Sequence, residues 1–95
     1  MNLTTKGKYA VTAVLDLAIQ ERDSASYSKI SEVADRQSIP SAYLEQIFSF
    51  LRKAGILKAV RGPKGGFKLS RPSAEIMIGE IIVAVEKNMD ATQCA

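Results

Sequence analysis

Apolar residues fall at helical spacing in four stretches of this chain and alternate with polar ones in two short stretches. Val11, Val14, Leu15 and Ala18 stand at i, i+3, i+4 and i+7, which predicts a helix from Thr5 to about Gln20. Ala10, Ala13 and Leu17 widen that stripe, so the helix is expected to be buried over much of its circumference. Thr4 or Thr5 can cap its first turn. The polar run Glu21–Ser26 reads as a loop, and Ser28 as the cap of a short second helix ending near Arg36, with Ile30, Val33 and Ala34 turned inward. Gln37, Ser38 and Ile39 break that helix. If Ser38 takes positive φ there, it bears a cost of about 1 kcal/mol. Pro40 suits the first position of the next helix, where its missing N–H is not needed. Leu44, Ile47, Phe48 and Leu51 form that helix's core stripe, Tyr43 and Phe50 flank it, and Gly55 supplies its C-cap.

Beyond Gly55 the period changes. Residues 56–60 and 67–70 read as two short strands, in which Leu57 and Ala59 alternate with Lys58 and Val60, and Phe67 and Leu69 with Lys68 and Ser70. Arg61-Gly62-Pro63-Lys64-Gly65-Gly66 forms a flexible basic tip between them. Arg71-Pro72-Ser73 closes the hairpin, and Ile78, Ile81, Ile82 and Val85 make a fourth helix that packs against the first. Ile76 and Met77 are expected to pack in the interior. Three helices, two strands and a fourth helix, in that order, make a mostly helical domain with a small β-hairpin, a winged helix-turn-helix. The helix-turn-helix spans about 28–54 and the wing about 56–70, within a domain of residues 1–86; residues 87–95 stand apart as a polar segment.

Composition narrows the function classes. Ninety-five residues with 46% hydrophobic content suit one small packed domain. No apolar run approaches the ~20 residues a membrane span needs, and the N-terminal stretch lacks the h-region of a signal peptide. One cysteine cannot build an internal disulfide framework, which makes a reducing, cytoplasmic setting the expectation. The absence of histidine removes Ser–His and Cys–His nucleophile pairs, and no other nucleophile–base pair is legible, so an enzyme is not expected. Charge is more informative by place than by sum. Between Glu45 and Glu75 lie seven basic residues (Arg52, Lys53, Lys58, Arg61, Lys64, Lys68 and Arg71) and no acidic one, a local +7 in a chain of net charge +3. A solvated charged surface is the commoner fate of such residues, yet one sign without counter-charge favours a polyanion partner.

The polar side of the third helix has chemical order. Ser41, Ala42, Glu45, Gln46 and Ser49 occupy its first part and Arg52 and Lys53 its end. Gln can pair with adenine, Glu can accept from cytosine N4 and Ser can do either, while the terminal cations suit phosphates. Glycines in the wing tip allow close backbone approach, and Arg61 there can enter a narrow minor groove. A phosphate-binding Walker loop is not supported, because no Gly-Lys-Ser/Thr occurs. Lys6 and Lys8, beside the start of the first helix, read either as a phosphate site or as a solvated helix start.

The stretches LTTKGKYAVTAVLDLA, YLEQIFSFLRKAGILKAVRGPKGGF and DATQC together resemble the IscR-type family of bacterial winged-helix transcription regulators over nearly the whole chain. The resemblance implies a homodimer on a palindromic operator of double-stranded DNA, controlling genes of iron–sulfur cluster assembly or of iron and sulfur metabolism. It implies that Glu45 and Gln46 read bases, that Arg61 with Gly62 makes the wing contact, and that Cys94 matches the first cysteine of a [2Fe–2S] cluster. The DNA-facing set is accordingly Thr5, Lys6, Ser28, Lys29, Ser41, Ala42, Glu45, Gln46, Ser49, Arg52, Lys53, Arg61, Gly62 and Lys64. Ser38 stands where relatives often have glycine, and Pro40 and Ala42 where some carry serine. Three cysteines and a histidine hold the cluster in that branch, whereas these residues offer Cys94 alone. As written the chain is expected to bind no cluster by itself, with Cys94 a free thiol. It is either part of a longer protein, with residues 87–95 the start of a truncated cluster-binding segment, or a relative reduced to its DNA-binding part. The helix that joins two subunits in the family is also missing, so monomeric or weak association is expected.

A second reading uses the same fold as a protein-interaction module, with the basic wing docking an acidic partner. Exposure of Glu45, Gln46 and Ser49 separates the two, since a third helix masked by its own domain cannot read a groove.

Overall fold

A computed structural model describes residues 4–24, 27–63 and 65–94, and their side chains except those of residues 24 and 87–94. The elements follow the expected order: α1 (Thr5–Ser24), α2 (Ile30–Gln37), α3 (Ser41–Lys53), β1 (Leu57–Val60), β2 (Gly66–Leu69), a 3-10 turn (Ser73–Glu75) and α4 (Ile78–Cys94).

The helix α1 begins as anticipated, with the Thr4 hydroxyl accepting the Gly7 N–H at 3.0 Å. Its end differs from expectation, since Glu21–Ser24 continues the helix where a loop was expected. The cause is tertiary: the Glu21 carboxylate accepts the Leu69 N–H at 2.9 Å, which holds the added turn against β2. The buried stripe is also narrower. Ala10, Ala13, Val14 and Leu17 are buried, but Leu15 is 57% exposed.

Ser28 does not cap α2. Lys29 holds the N-cap position, and its N–H donates to the Glu32 carboxylate at 2.7 Å, the return half of a capping box that a lysine cannot complete. The helix ends at Ser38, which adopts the left-handed conformation (φ 55, ψ 43) and directs the Ile39 N–H to the Ala34 carbonyl at 3.1 Å. Pro40 is the N-cap of α3 rather than its first residue; its extended ψ of 131 leaves its carbonyl to accept from Tyr43 and Leu44. At the other end Gly55 (φ 81) makes a Schellman motif, with Ile56 N–H on the Leu51 carbonyl and Gly55 N–H on that of Arg52, each at 3.0 Å.

The strands pair antiparallel, Leu57 opposite Leu69, Lys58 opposite Lys68 and Ala59 opposite Phe67. Leu57 and Leu69 are buried, so the alternation expected from the sequence holds at the base of the hairpin, while Ala59 is exposed toward its tip. Ser28 adds a third short pairing on the outer side of β2, exchanging hydrogen bonds with Phe67 at 3.0 and 2.6 Å. Gly66 makes that approach feasible. Its φ is 145, and a Cβ there would stand 2.5 Å from the Ser28 carbonyl oxygen.

The core collects Phe48, Leu44, Ile47 and Leu51 of α3, Leu17 of α1, Val33 of α2, Val85 of α4, and Ile56 just before β1, all essentially without exposure. Phe67 meets Phe48 edge-on with ring centroids 4.9 Å apart, which joins the wing to α3. The helix α4 packs on α1 and α3 through Ile81, Ala84 and Val85. Two expectations fail here. Ile78 is exposed and Ile82 only half-buried, and Met77 is 69% exposed instead of packed. Met77 precedes α4, where its N–H donates to Glu80 and its carbonyl accepts from Glu80 and Ile81; that cap geometry sends the side chain outward.

Candidate nucleic-acid interface

The four buried residues of α3 recur at three- and four-residue spacing, so the opposite side must face solvent. Ser41, Ala42, Glu45, Gln46, Ser49, Arg52 and Lys53 are all exposed there. The condition that would have favoured a purely protein-binding module, a masked third helix, is not met. Among the described residues Glu45, Arg52 and Lys53 have no ion-pair partner.

The start of α1 comes to this face. Lys6 donates to the Gln46 side-chain oxygen at 3.2 Å, and its ammonium stands 5.7 Å from the Tyr43 ring centroid. Tyr43 in turn meets Tyr9 edge-on at 5.3 Å, so an aromatic pair carries the N-terminal lysine to the third helix. A carboxamide oxygen has two lone pairs, which leaves Gln46 an acceptor and two donors for another partner. Thr5 and Lys8 are exposed nearby. The α1 N-terminus is not an open anion site throughout, because Thr4 also donates to the Glu86 carboxylate at 2.8 Å.

Arg61 and Gly62 are exposed at the wing tip, and Arg61 has no ion-pair partner among the described residues. Lys64 lies outside the described residues. Behind the tip, Lys58 and Lys68 share the face of the hairpin opposite Leu57 and Leu69, two cations directly across from one another. Lys68 stands 5.4 Å from the Tyr27 ring centroid. Arg71, at the end of the basic stretch, is already neutralised by Glu80 at 2.8 Å. The Met77 N–H and the Arg71 guanidinium, both bonded to that carboxylate, hold it below its ordinary range.

Ser28 belongs elsewhere than the DNA-facing set assigned it. The residue is buried at 4% exposure and its hydroxyl accepts from Arg36 at 3.1 Å, which turns its side chain toward the α1–α2 packing and away from the exposed face. Lys29, next to it, is exposed. The cluster behind Ser28 was missed by sequence reasoning. Asp16, its side chain 2% exposed, receives Arg36 through Nη2 at 2.7 Å and Nε at 3.0 Å, and Gln37 at 2.8 Å. An acid inside the apolar run AVLDLAI was the available signal, because a buried carboxylate requires a partner. Burial raises the Asp16 carboxyl, but the Arg36 and Gln37 hydrogen bonds and the Arg36 charge outweigh it and hold it below the usual range.

Residues 3–95 match the model of the Rrf2 family, described as iron-dependent transcriptional regulators. The chain belongs to the Rrf2 family. Among its Rrf2 relatives, a protein of Neisseria meningitidis serogroup A assigned as an HTH-type transcriptional regulator is 51% identical over 94 residues, covering 99% of this chain and 62% of the relative. The HTH-type transcriptional regulator IscR of Photobacterium profundum is 47% identical, over 99% of this chain and 54% of its own. The chain thus spans between half and two thirds of the curated relatives it matches. Among the solved structures that share its fold are two regulators. The global cysteine regulator CymR of Bacillus subtilis superposes with a TM-score of 0.84 at 32% identity, over 90% of this chain and 65% of that one. The IscR of T. potens gives 0.82 at 32%, over 98% and 74%. These Rrf2 relatives are transcriptional regulators rather than enzymes, and this chain resembles IscR along nearly its whole length and shares the winged-helix fold.

An iron–sulfur cluster does not fit these 95 residues. Such clusters take four protein ligands, chiefly cysteine thiolates, and the sequence holds one cysteine and no histidine. Among the described residues no three metal-ligating side chains converge, and the Cys94 side chain lies outside them. Among the described residues no helix is long and apolar enough to cross a membrane.

Proposed function

We propose that this regulator binds double-stranded DNA, with α3 reading base edges in the major groove and the Arg61-bearing wing entering the adjacent minor groove. The supporting observation is the solvent-facing side of α3, where Glu45 and Gln46 stand exposed with Lys6 of α1 hydrogen-bonded to Gln46 at 3.2 Å. Glu45, Gln46 and Ser49 supply base-edge groups; Thr5, Lys6, Lys29, Ser41, Arg52, Lys53 and Lys64 supply backbone contacts; Ala42 offers a methyl contact and Gly62 a close approach. Residues 1–86 form the DNA-binding unit, and residues 87–95 are the start of the segment that the resemblance assigns to a cluster.

Two copies on a palindromic site match the symmetry such regulators use. The family description and the IscR and CymR relatives support target genes in iron–sulfur or sulfur metabolism. The test is selection of duplexes from a randomised pool, followed by anisotropy titration between 50 and 200 mM salt. Six to ten phosphate contacts would lower affinity by about 10³–10⁵ over that range. Binding that ignores salt, or a pool that yields no enriched sequence, would reject the reading.

A further inference from the structure

We infer that Asp16, Arg36 and Ser28 act as a clasp that fixes the wing against the helix-turn-helix, making them positioning residues for Arg61. The inference rests on the DNA reading above for its effect on binding, though not for its geometry. A hairpin of two four-residue strands is marginal by itself, and the outer edge of β2 needs a partner. Ser28 provides one through its two backbone hydrogen bonds to Phe67. Ser28 lies in the short connection between α1 and α2, and its hydroxyl is held by Arg36 Nη2 at 3.1 Å. Arg36 is itself aimed by the two-pronged grip on Asp16, whose other contact comes from Gln37. The chain of contacts therefore runs from α1 through α2 to the α1–α2 connection, and from there to β2.

Stability alone does not explain such a cluster, because a buried ion pair is often matched or exceeded by apolar residues of the same volume. What the arrangement supplies is direction. Arg36 and Gln37 immediately precede the left-handed Ser38, so the same grip sets both the turn into α3 and the strand that carries the wing.

The decisive experiment uses the full chain with Ser28→Ala and Arg36→Lys, each alone and combined with Arg61→Ala, titrated on the selected duplex. Ser28→Ala removes one hydrogen bond and leaves the Asp16–Arg36 pair in place. We expect about a two- to tenfold loss of affinity from each single variant. In the Arg61→Ala background that loss should vanish, because the clasp acts through the wing. Amide exchange of Phe67 should quicken at least tenfold in Ser28→Ala, while the melting temperature moves by no more than a few degrees. An equal loss of affinity with and without Arg61 would overturn the inference, as would unchanged exchange at Phe67. Should the unaltered chain bind no DNA, the function above fails, and the Phe67 exchange rate alone decides the clasp.

Discussion

Lys6 at the beginning of α1 and Gln46 on α3 meet at 3.2 Å across forty residues of sequence. The contact aligns the carboxamide proposed to read a base with a cation from a different helix. Lys6→Ala should weaken binding to all duplexes and reduce the salt slope by about 1, the mark of one lost phosphate contact. If Gln46 reads a base pair as proposed, Lys6→Ala should also relax discrimination there, where a good contact is worth about 1–3 kcal/mol. Anisotropy titrations of Lys6→Ala, Gln46→Ala and the double variant on matched and mismatched duplexes test the coupling; strictly additive losses would separate the two residues.

Asp16 makes folding stability depend on acid. Its carboxyl is held below the ordinary range in the folded chain, so its contribution is present above the unfolded value of about 3.9 and is lost as pH falls through the lower folded value. Urea denaturation should therefore show stability falling in the acid range with a component that Asp16→Asn removes. At neutral pH Asp16→Asn should cost about 1–3 kcal/mol, because Arg36 and Gln37 lose a charged acceptor while the partly exposed Arg36 guanidinium stays solvated. Identical pH profiles for the two chains would show that other carboxylates dominate.

Ser38 bears conformational strain at the helix-turn-helix bend, with φ at 55. Ser38→Gly should raise stability by about 0.5–1 kcal/mol, since glycine adopts this region freely but loses more entropy on folding. Ser38→Val should lower it by more than 1 kcal/mol, a β-branched side chain being least suited to positive φ. Thermal melts of the three chains give the order directly, and a glycine variant less stable than the parent would contradict it.

Lys58 and Lys68 oppose one another across the hairpin, a like-charge pairing that is unfavourable in the free protein. Lys58→Glu should stabilise the free domain by about 0.2–1 kcal/mol, while weakening DNA affinity and shortening the salt dependence. Opposite signs in melting and in titration are the diagnostic result. A variant that improves stability and leaves affinity intact would place this face of the wing away from the duplex.

Much of this was legible because amphipathic spacing survives in the fold. The stripe Leu44, Ile47, Phe48 and Leu51 is the buried face of α3, and it fixes by elimination which residues face outward. Gly55 likewise announced its cap. Two of the misses share a cause, which is tertiary contact overriding local signals. Glu21 reads as loop until its carboxylate finds Leu69, and Ser28 reads as a cap until Arg36 takes its hydroxyl and Phe67 its backbone. Leu15 and Met77 look like core residues by type, but their positions on α1 and before α4 turn them outward. The Lys6–Gln46 contact could not be read from spacing, since nothing local relates residues so far apart.

The bond from Leu69 to Glu21 has a consequence for how the protein is assembled. The wing is suspended from the far end of the first helix, so an excised peptide of residues 28–70, which looks like a complete DNA-binding cassette, would lose both that anchor and the α1 wall of its hydrophobic interior. A wing transplanted to another host would keep this anchor only where Glu21 travelled with it.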